Sequence, residues 1–299
     1  MRSTRVLLIA MTILAAGCRP ASNAATPAGA DYIENRGSDT IVNLALAWAE
    51  RYQELHPEVR ISVSGGGSGV GITALINGTV DIANASRQIK PEEIQEAEAR
   101  GIQPVEFIIA RDAIAVIVHP DNPVSQLTLQ QISDIYSGRI NNWREVGGEN
   151  RPIVRLSRET NSGTHVYFLE KVLRLGDSDS DTLFSTDTLL LPSSEGIVYE
   201  VRQNPNAIGY DGLGYVPPDL KVIAVARQAG GPFLLPSVET VNDDSYPVAR
   251  DLYMYTAGQP SGAVADYLGW ILSSEAQPIV ADLGFVPVTA APQAPTQGG

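Results

Sequence analysis

The chain has 299 residues, 18% of them charged and 43% hydrophobic, and its formal net charge is −13 at pH 7. Such acidity repels nucleic acid and anionic lipid at long range, which argues against both as partners, and any anion it binds is not drawn in by net charge. The single cysteine, Cys18, excludes an intramolecular disulfide.

Residues 1–17 read as an export signal: Arg2 and Arg5 flank the apolar VLLIAMTILAA, which is too short for a permanent membrane span. Cys18 follows LAAG, which resembles the lipobox at which bacterial lipoproteins are cut and acylated, although Leu14 stands one place earlier than usual. The alternative is an ordinary secretory signal beside an unmodified cysteine. RPASNAATPAGA, 19–30, reads as a flexible tether carrying that anchor, and TAAPQAPTQGG, 289–299, as a disordered tail.

The folded part begins with a strand, YIENRG, then the turn GSDT, then a helix through IVNLALAWAERYQELHP. In that helix Ile41, Leu44, Trp48, Tyr52 and Leu55 share one face, and His56-Pro57 ends it. A second strand, VRISVS, runs into SGGGSGVGI and a short helix that presents Ile72, Leu75 and Ile76, closed by Asn77-Gly78. After a charged helix, KPEEIQEAEARG, two adjoining strands, VEFIIA and AIAVIVHP, carry the chain into a second domain. There IVRLS leads through RETNSGT into HVYFLEKVL, whose Val166, Leu169, Val172 and Leu173 form an apolar helical face. AIGYDGLGYV and KVIAVA read as strands, YPVARDLYMYT as a strand crossing back, and AVADYLGWILSSEAQPIVADLG as one closing helix. This alternation implies α/β architecture with mixed or parallel sheets and ligands at the carboxyl ends of strands.

Three turns suit an anion: Gly37-Ser38-Asp39-Thr40, Ser64 to Ser68, and Arg158 to Thr164. Each precedes a helix whose first N–H groups lack partners, and each adds hydroxyl donors. One such turn alone is more often a plain N-cap. Three of them, drawn from both domains and one with an arginine, favour a shared ligand. The glycine run is not a P-loop, because Gly71 is followed by Ile72 and Thr73 rather than Lys. It fails as a dinucleotide fingerprint at Ile72, and as a nucleophile elbow around Ser68 at Val70. His56, His119 and His165 are too dispersed for a metal site, and His165 reads as a surface residue rather than a base for Ser162. No catalytic residue, cofactor or metal is expected.

Taken together, GSDTIVNLALAWAERY, SGGGSGVGITALINGTVDIANASR, RETNSGTHVYF and YPVARDLYMYT resemble, in order, blocks of the substrate-binding proteins of bacterial phosphate ABC transporters. The resemblance covers nearly all of 31–288, and R-x-x-x-S-G-T is its most specific piece. It implies a two-lobed α/β periplasmic-binding-protein fold, type II-like and hinged by two crossover strands. One lobe would comprise 31–112 plus 247–288, and the other 113–246. It further implies extracytoplasmic binding of inorganic phosphate and delivery to a membrane permease by a monomer. Carried over by position, Thr40 and the Ile41 amide would contact phosphate with Ser38 and Asp39 alongside. Ser68, Ser86, Arg87, Arg158, Ser162, Gly163 and Thr164 complete the expected site. Where longer members carry an Asp that accepts the phosphate proton, this chain has NASR, which puts Arg87 there. Asp39 is the candidate replacement carboxylate; an N-cap or a partner of Arg87 is the plain alternative. Asp81 reads as structural. The same fold binding sulfate or molybdate, a phosphate sensor, and a phosphatase-like enzyme are the competing functions.

If Cys18 is acylated, Cys18→Ser loses the membrane-bound fraction of the protein and keeps its ligand binding. Equal membrane association of both forms, read by cell fractionation, rejects the lipoprotein reading.

Overall fold

The computed structural model describes residues 31–288; the expected signal 1–17, the tether 18–30 with Cys18, and the tail 289–299 lie outside the described residues. In chain order the first elements are β1 (Asp31–Gly37), α1 (Asp39–Leu55), β2 (Val59–Ser64), α2 (Ser68–Ile76), β3 (Ile82–Ala85), α3 (Pro91–Ala99) and β4 (Val105–Val118). Then come β5 (Gln126–Thr128), α4 (Leu129–Tyr136), β6 (Val154–Arg158), α5 (Gly163–Phe168), β7 (Leu189–Leu191), α6 (Ser194–Gln203) and β8 (Ala207–Gly212). The chain ends with β9 (Lys221–Val222), β10 (Ala224–Ala226), α7 (Val238–Asn242), β11 (Ala249–Thr256), α8 (Gly262–Ile271) and α9 (Gln277–Asp282).

The strands join in the order β2-β1-β3-β11-β4-β8-β6-β7, with β9 also on β4. β1 pairs in parallel with β2 and β3, as β6 does with β7 and β8, because helices return the chain to the same end of the sheet each time. β4 and β11 are antiparallel. β4 pairs with β11 from Val105 to Ala113 and then with β8 from Ile114 to Val118, so one strand serves two halves of the sheet.

Two main hydrophobic cores lie on either side of that hand-over. One gathers Ile33, Leu44, Trp48, Leu252, Tyr267 and Phe285. The other gathers Ile114, Ile135, Phe168, Tyr210, Val225 and Tyr246. β4 contributes to both, through Ile109 and Ala110 on one side and Ile114 and Val116 on the other. β11 does likewise through Leu252 and Met254, and through Ala249 at its other end.

Four expected elements differ. VEFIIA and AIAVIVHP form a single strand, because Arg111 and Asp112 between them are cross-strand partners of Asp251 and Arg250 and so stay in the ladder. KVIAVA splits because Lys221–Val222 pair with β4 whereas Ala224–Ala226 pair with β5. The closing helix breaks between Ile271 and Gln277, where Pro278, lacking an amide hydrogen, fits only the first turn of a new helix. HVYFLEKVL opens as α5 and widens to a π-turn over Leu169–Leu173. Three helices not anticipated, α4, α6 and α7, begin at side-chain caps, Thr128 Oγ1 accepting from the Gln131 amide, Ser193 Oγ from that of Gly196 and Ser237 Oγ from that of Thr240.

Trp48 anchors α1: its ring is fully buried and its Nε1 donates to the Ala276 carbonyl at 3.1 Å, which ties the helix to the start of α9. Trp48→Ala should cost about 3–5 kcal/mol in urea unfolding, the sum of lost transfer energy and a residual cavity.

Candidate functional site

The three expected turns meet. Gly37 closes β1 with φ +148°, and a Cβ there would overlap the Asn84 carbonyl, which accepts the Ser38 amide at 2.9 Å. This glycine therefore lets the first turn lie directly on the end of β3. Gly67, at φ +94°, precedes α2; its amide donates to the Gly37 carbonyl at 2.9 Å, and the Gly69 amide donates to the Asn161 carbonyl at 3.1 Å. The glycine run is thus clasped between the other two turns, which is the close backbone approach its composition requires. Ser162 caps α5, its Oγ accepting from the Thr164 amide at 3.2 Å.

A continuous group of buried hydroxyls results. Ser38 Oγ donates to Ser86 Oγ at 2.9 Å, the Ser68 and Ser86 hydroxyls lie 3.3 Å apart, and Ser68 Oγ also accepts the Ser86 amide at 3.0 Å. The hydroxyls of Thr40 and Thr164 pair at 2.9 Å, 124 residues apart in sequence. Gly163 sits against Ser68 and Ser86 so closely that any Cβ would overlap both hydroxyls. Ile41 is packed in a core and its amide donates to the Ser38 carbonyl at 3.1 Å.

Charge enters from five elements, β4, β6, β8, β11 and α1. Arg158, 1% exposed at the end of β6, donates through Nη1 to Ser194 Oγ at 2.8 Å. Its Nη2 donates to Asp39 Oδ2 at 2.8 Å and to the Pro192 carbonyl at 2.9 Å. Asp39 is neither an N-cap nor the partner of Arg87: its second oxygen accepts the Gly66 amide at 2.9 Å, so it locks the glycine run to Arg158. Behind Arg158, Asp211 is fully buried and accepts through Oδ1 from Ser194 Oγ and the Gly212 amide, while Oδ2 lies 3.8 Å from Arg158 Nη1 without a hydrogen-bond partner among the described residues. Burial pushes its carboxyl up to about 6, against the opposing pull of Arg158.

Arg250 and Asp112 belong to the same cluster and were not among the residues expected from sequence. Arg250 donates to Asp112 Oδ2 through Nε and Nη2 at 3.2 and 2.8 Å, to the Ser86 carbonyl through Nη1 at 3.0 Å, and through Nη2 to Thr164 Oγ1 at 3.0 Å, with Thr40 Oγ1 at 3.4 Å. A signal existed: ARDLYMYT and ARDAIAVIV each hold charged residues inside an apolar strand, where isolated charge is costly and so has a partner.

Arg87 stands apart. Its Nη1 and Nη2 engage the two oxygens of Glu93 at 2.8 and 2.6 Å, and Nη1 also donates to the Gln88 carbonyl, so the fork faces α3. His165 corrects the surface reading: it is buried, its Nδ1 lies 3.0 Å from Ser157 Oγ, and burial lowers its pKa. Its ring is engaged with Ser157, and no hydrogen bond joins it to Ser162 among the described residues. Asp81 holds the Glu34 amide at 2.8 Å, a structural contact as read from sequence.

A model of the PBP superfamily domain, the periplasmic-binding-protein group, matches residues 22–275. The phosphate-binding protein PstS of Pseudomonas aeruginosa is 33% identical, over 95% of this chain and 95% of that protein. Among solved structures, a Clostridium perfringens protein provisionally described as a phosphate ABC transporter substrate-binding protein, with bound phosphate, superposes with a TM-score of 0.77. It is 33% identical and covers 86% of this chain and 100% of its own. An ABC-type phosphate transport receptor from Vibrio cholerae gives 0.69 at 27% identity, over 86% of this chain and 100% of its own. Fold and site thus define a two-lobed periplasmic-binding protein built around an oxyanion-type cleft. Within that class, the chain belongs to the PstS family of phosphate-binding proteins.

Asp211 gives the cleft a pH signature. The unfolded chain releases this proton near the ordinary aspartate value and the folded chain near pH 6, so between about pH 4 and 6 the folded state binds more protons. The stability contributed by Asp211 is therefore full at the acid end, falls as pH rises through that window and is lost above it, by on the order of 3 kcal/mol. Asp211→Asn should remove this slope, so that thermal unfolding of the variant, relative to wild type, improves from pH 4.5 to pH 7.

Proposed function

We propose that this protein binds inorganic phosphate between its two lobes outside the cytoplasm and delivers it to the permease of an ABC transporter. The observation that carries the reading is the convergence of Ser38, Thr40, Ser68, Ser86 and Thr164 with a buried arginine fork from the other side of the cleft. Tetrahedral phosphate has four oxygens and takes many short donors, and clustered hydroxyls with a guanidinium supply them at fixed geometry. The family's phosphate-binding members point the same way.

In this reading Arg158 engages two phosphate oxygens, and Ser38, Thr40, Ser68, Ser86, Ser162 and Thr164 supply hydroxyls. Gly163, having no side chain, lets the α5 backbone approach. Asp39, with both oxygens engaged, orients Arg158 and the glycine run. Arg87 and the Ile41 amide, held by Glu93 and by the Ser38 carbonyl, are left out of the contact set. The lobes are 31–112 with 247–288, and 113–246, and they close by bending where β4 and β11 pass between the cores. The protein acts as a monomeric carrier without a catalytic step, exported by residues 1–17 and anchored through lipid at Cys18.

Calorimetric titration of ligand-stripped protein with phosphate, sulfate and molybdate tests this directly: phosphate should bind far more tightly than the other two. Arg158→Lys keeps the charge and removes the planar fork, so phosphate affinity should fall by on the order of 2 kcal/mol, the scale of one charge-assisted hydrogen bond. An unchanged titration curve removes Arg158 from the site.

A further inference from the structure

Arg250 lies opposite Asp112 in the β4–β11 ladder, at the point where β4 leaves β11 for β8. Both side chains are buried, whereas the neighbouring cross-strand pair, Arg111 and Asp251, is partly exposed. A purely structural ion pair would spend the fork on its carboxylate. Here Nε and Nη2 converge on one oxygen, Asp112 Oδ2, and the opposite edge of the guanidinium is left to the hydroxyl cluster. That edge touches three segments: Thr40 at the start of α1, Ser86 after β3, and Thr164 in α5. Of the five N–H donors of an arginine, one on Nη1 has no acceptor among the described residues. Thr40 comes from the side of one core and Thr164 from the other, and Arg250 reaches both from a strand that passes between them.

We infer that Arg250 is a direct ligand of the bound oxyanion, held in place by Asp112 as a positioning residue, and that its seat on the crossover strand couples anion occupancy to closure of the lobes. The inference rests on the phosphate reading and adds a residue to it. Its chemistry is that of a planar fork presenting an edge to two oxygens, with the cation's charge already balanced by Asp112. The anion then gains hydrogen bonds without facing uncompensated positive charge, and Thr40 and Thr164 are drawn to the same oxygens from opposite lobes.

The test is a double-mutant cycle read by phosphate titration and by small-angle scattering with and without phosphate. Arg250→Gln should weaken phosphate binding about 10- to 100-fold, the range for hydrogen bonds to a charged group, and reduce the phosphate-induced fall in radius of gyration. Part of that loss would come from leaving Asp112 unpaired beside the anion. The double variant Arg250→Gln with Asp112→Asn removes this repulsion. If Arg250 binds the anion, the double variant stays at least roughly 10-fold weaker than wild type. Recovery to wild-type affinity shows that Arg250 only neutralises Asp112 and overturns the inference. Asp112→Asn alone, with Arg250 present but less firmly held, should weaken binding while the fold, read by circular dichroism, is kept; wild-type affinity in that variant removes the positioning role. Arg227→Gln, on an exposed arginine bonded to the Asp244 carbonyl, is the control and should bind as wild type. Should the Arg250 variants not fold, a crystal structure of the wild-type phosphate complex decides: an Arg250 nitrogen within hydrogen-bond distance of a phosphate oxygen supports the assignment, and its absence there overturns it. Wild-type protein that takes up no phosphate fails the functional reading instead, and the same cycle is then run with whichever of sulfate or molybdate binds.

Discussion

Two guanidinium groups buried at the meeting of two cores are the constraint on which the rest of the centre depends. A charge taken out of water costs several kcal/mol unless it is paired and its remaining donors are satisfied. Arg158 meets that cost with Asp39, Ser194 and the Pro192 carbonyl, and Arg250 with Asp112, the Ser86 carbonyl and the Thr164 hydroxyl. Each set of partners comes from several elements, so the arginines fix the mutual position of β3, β4, β6, β11, α1 and α5. While water is kept out, displacing any one of these would strand a buried polar group, and the segments that carry the partners are tight turns with glycine at Gly37, Gly67 and Gly163.

The same pairing sets the electrostatics. With Asp39 on Arg158, Asp112 on Arg250 and Asp211 behind, the cleft carries at least as much buried acid as base among the described residues. An anion cannot be held there by excess positive charge. In the phosphate reading proposed above, it would be held by oriented donors: hydroxyls, amides at helix starts and guanidinium N–H groups. This agrees with a chain that is acidic as a whole. Fixed donors also discriminate by geometry, since a flat or larger anion meets fewer of them than a compact tetrahedral one.

Much of this was legible in the sequence, for a local reason. GSDT, SGGGS and RETNSGT each announce themselves within a few residues, because a turn needing left-handed backbone or a capping hydroxyl is written where it occurs. The first strands and α1 were equally readable from their spacing. What escaped was non-local. Whether Arg87 faces the cleft or Glu93 depends on how α3 packs against the end of β3, and the structure chooses Glu93. The pairing of Arg250 with Asp112 spans 138 residues and exists only through the register of two antiparallel strands. A register shift of one residue would turn one of the two to the other face and part the pair. Likewise, the break between α8 and α9 follows from Pro278, but only the packing of Gln277, whose Nε2 donates to the Ile109 and Ile271 carbonyls, shows why the chain resumes a helix there.

The placement of the polar centre on the strands that join the lobes has a mechanical consequence. In a hinged protein the residues near the axis move least, and groups on opposite lobes approach or separate around them. Asp112 and Arg250 lie on the two crossing strands, whereas Thr40 and Thr164, 2.9 Å apart, belong to opposite sides. Asp39 and Arg158 form a second cross-cleft contact at 2.8 Å, and the Gly69 amide and Asn161 carbonyl a third. All three would lengthen on opening, and each would expose a polar group to water, which satisfies it. Opening is therefore cheap in hydrogen bonds, and closure gains little by itself. An anion that bonds Thr40, Thr164 and Arg158 together adds contacts that exist only in the closed form, so its binding energy supplies the bias toward closure.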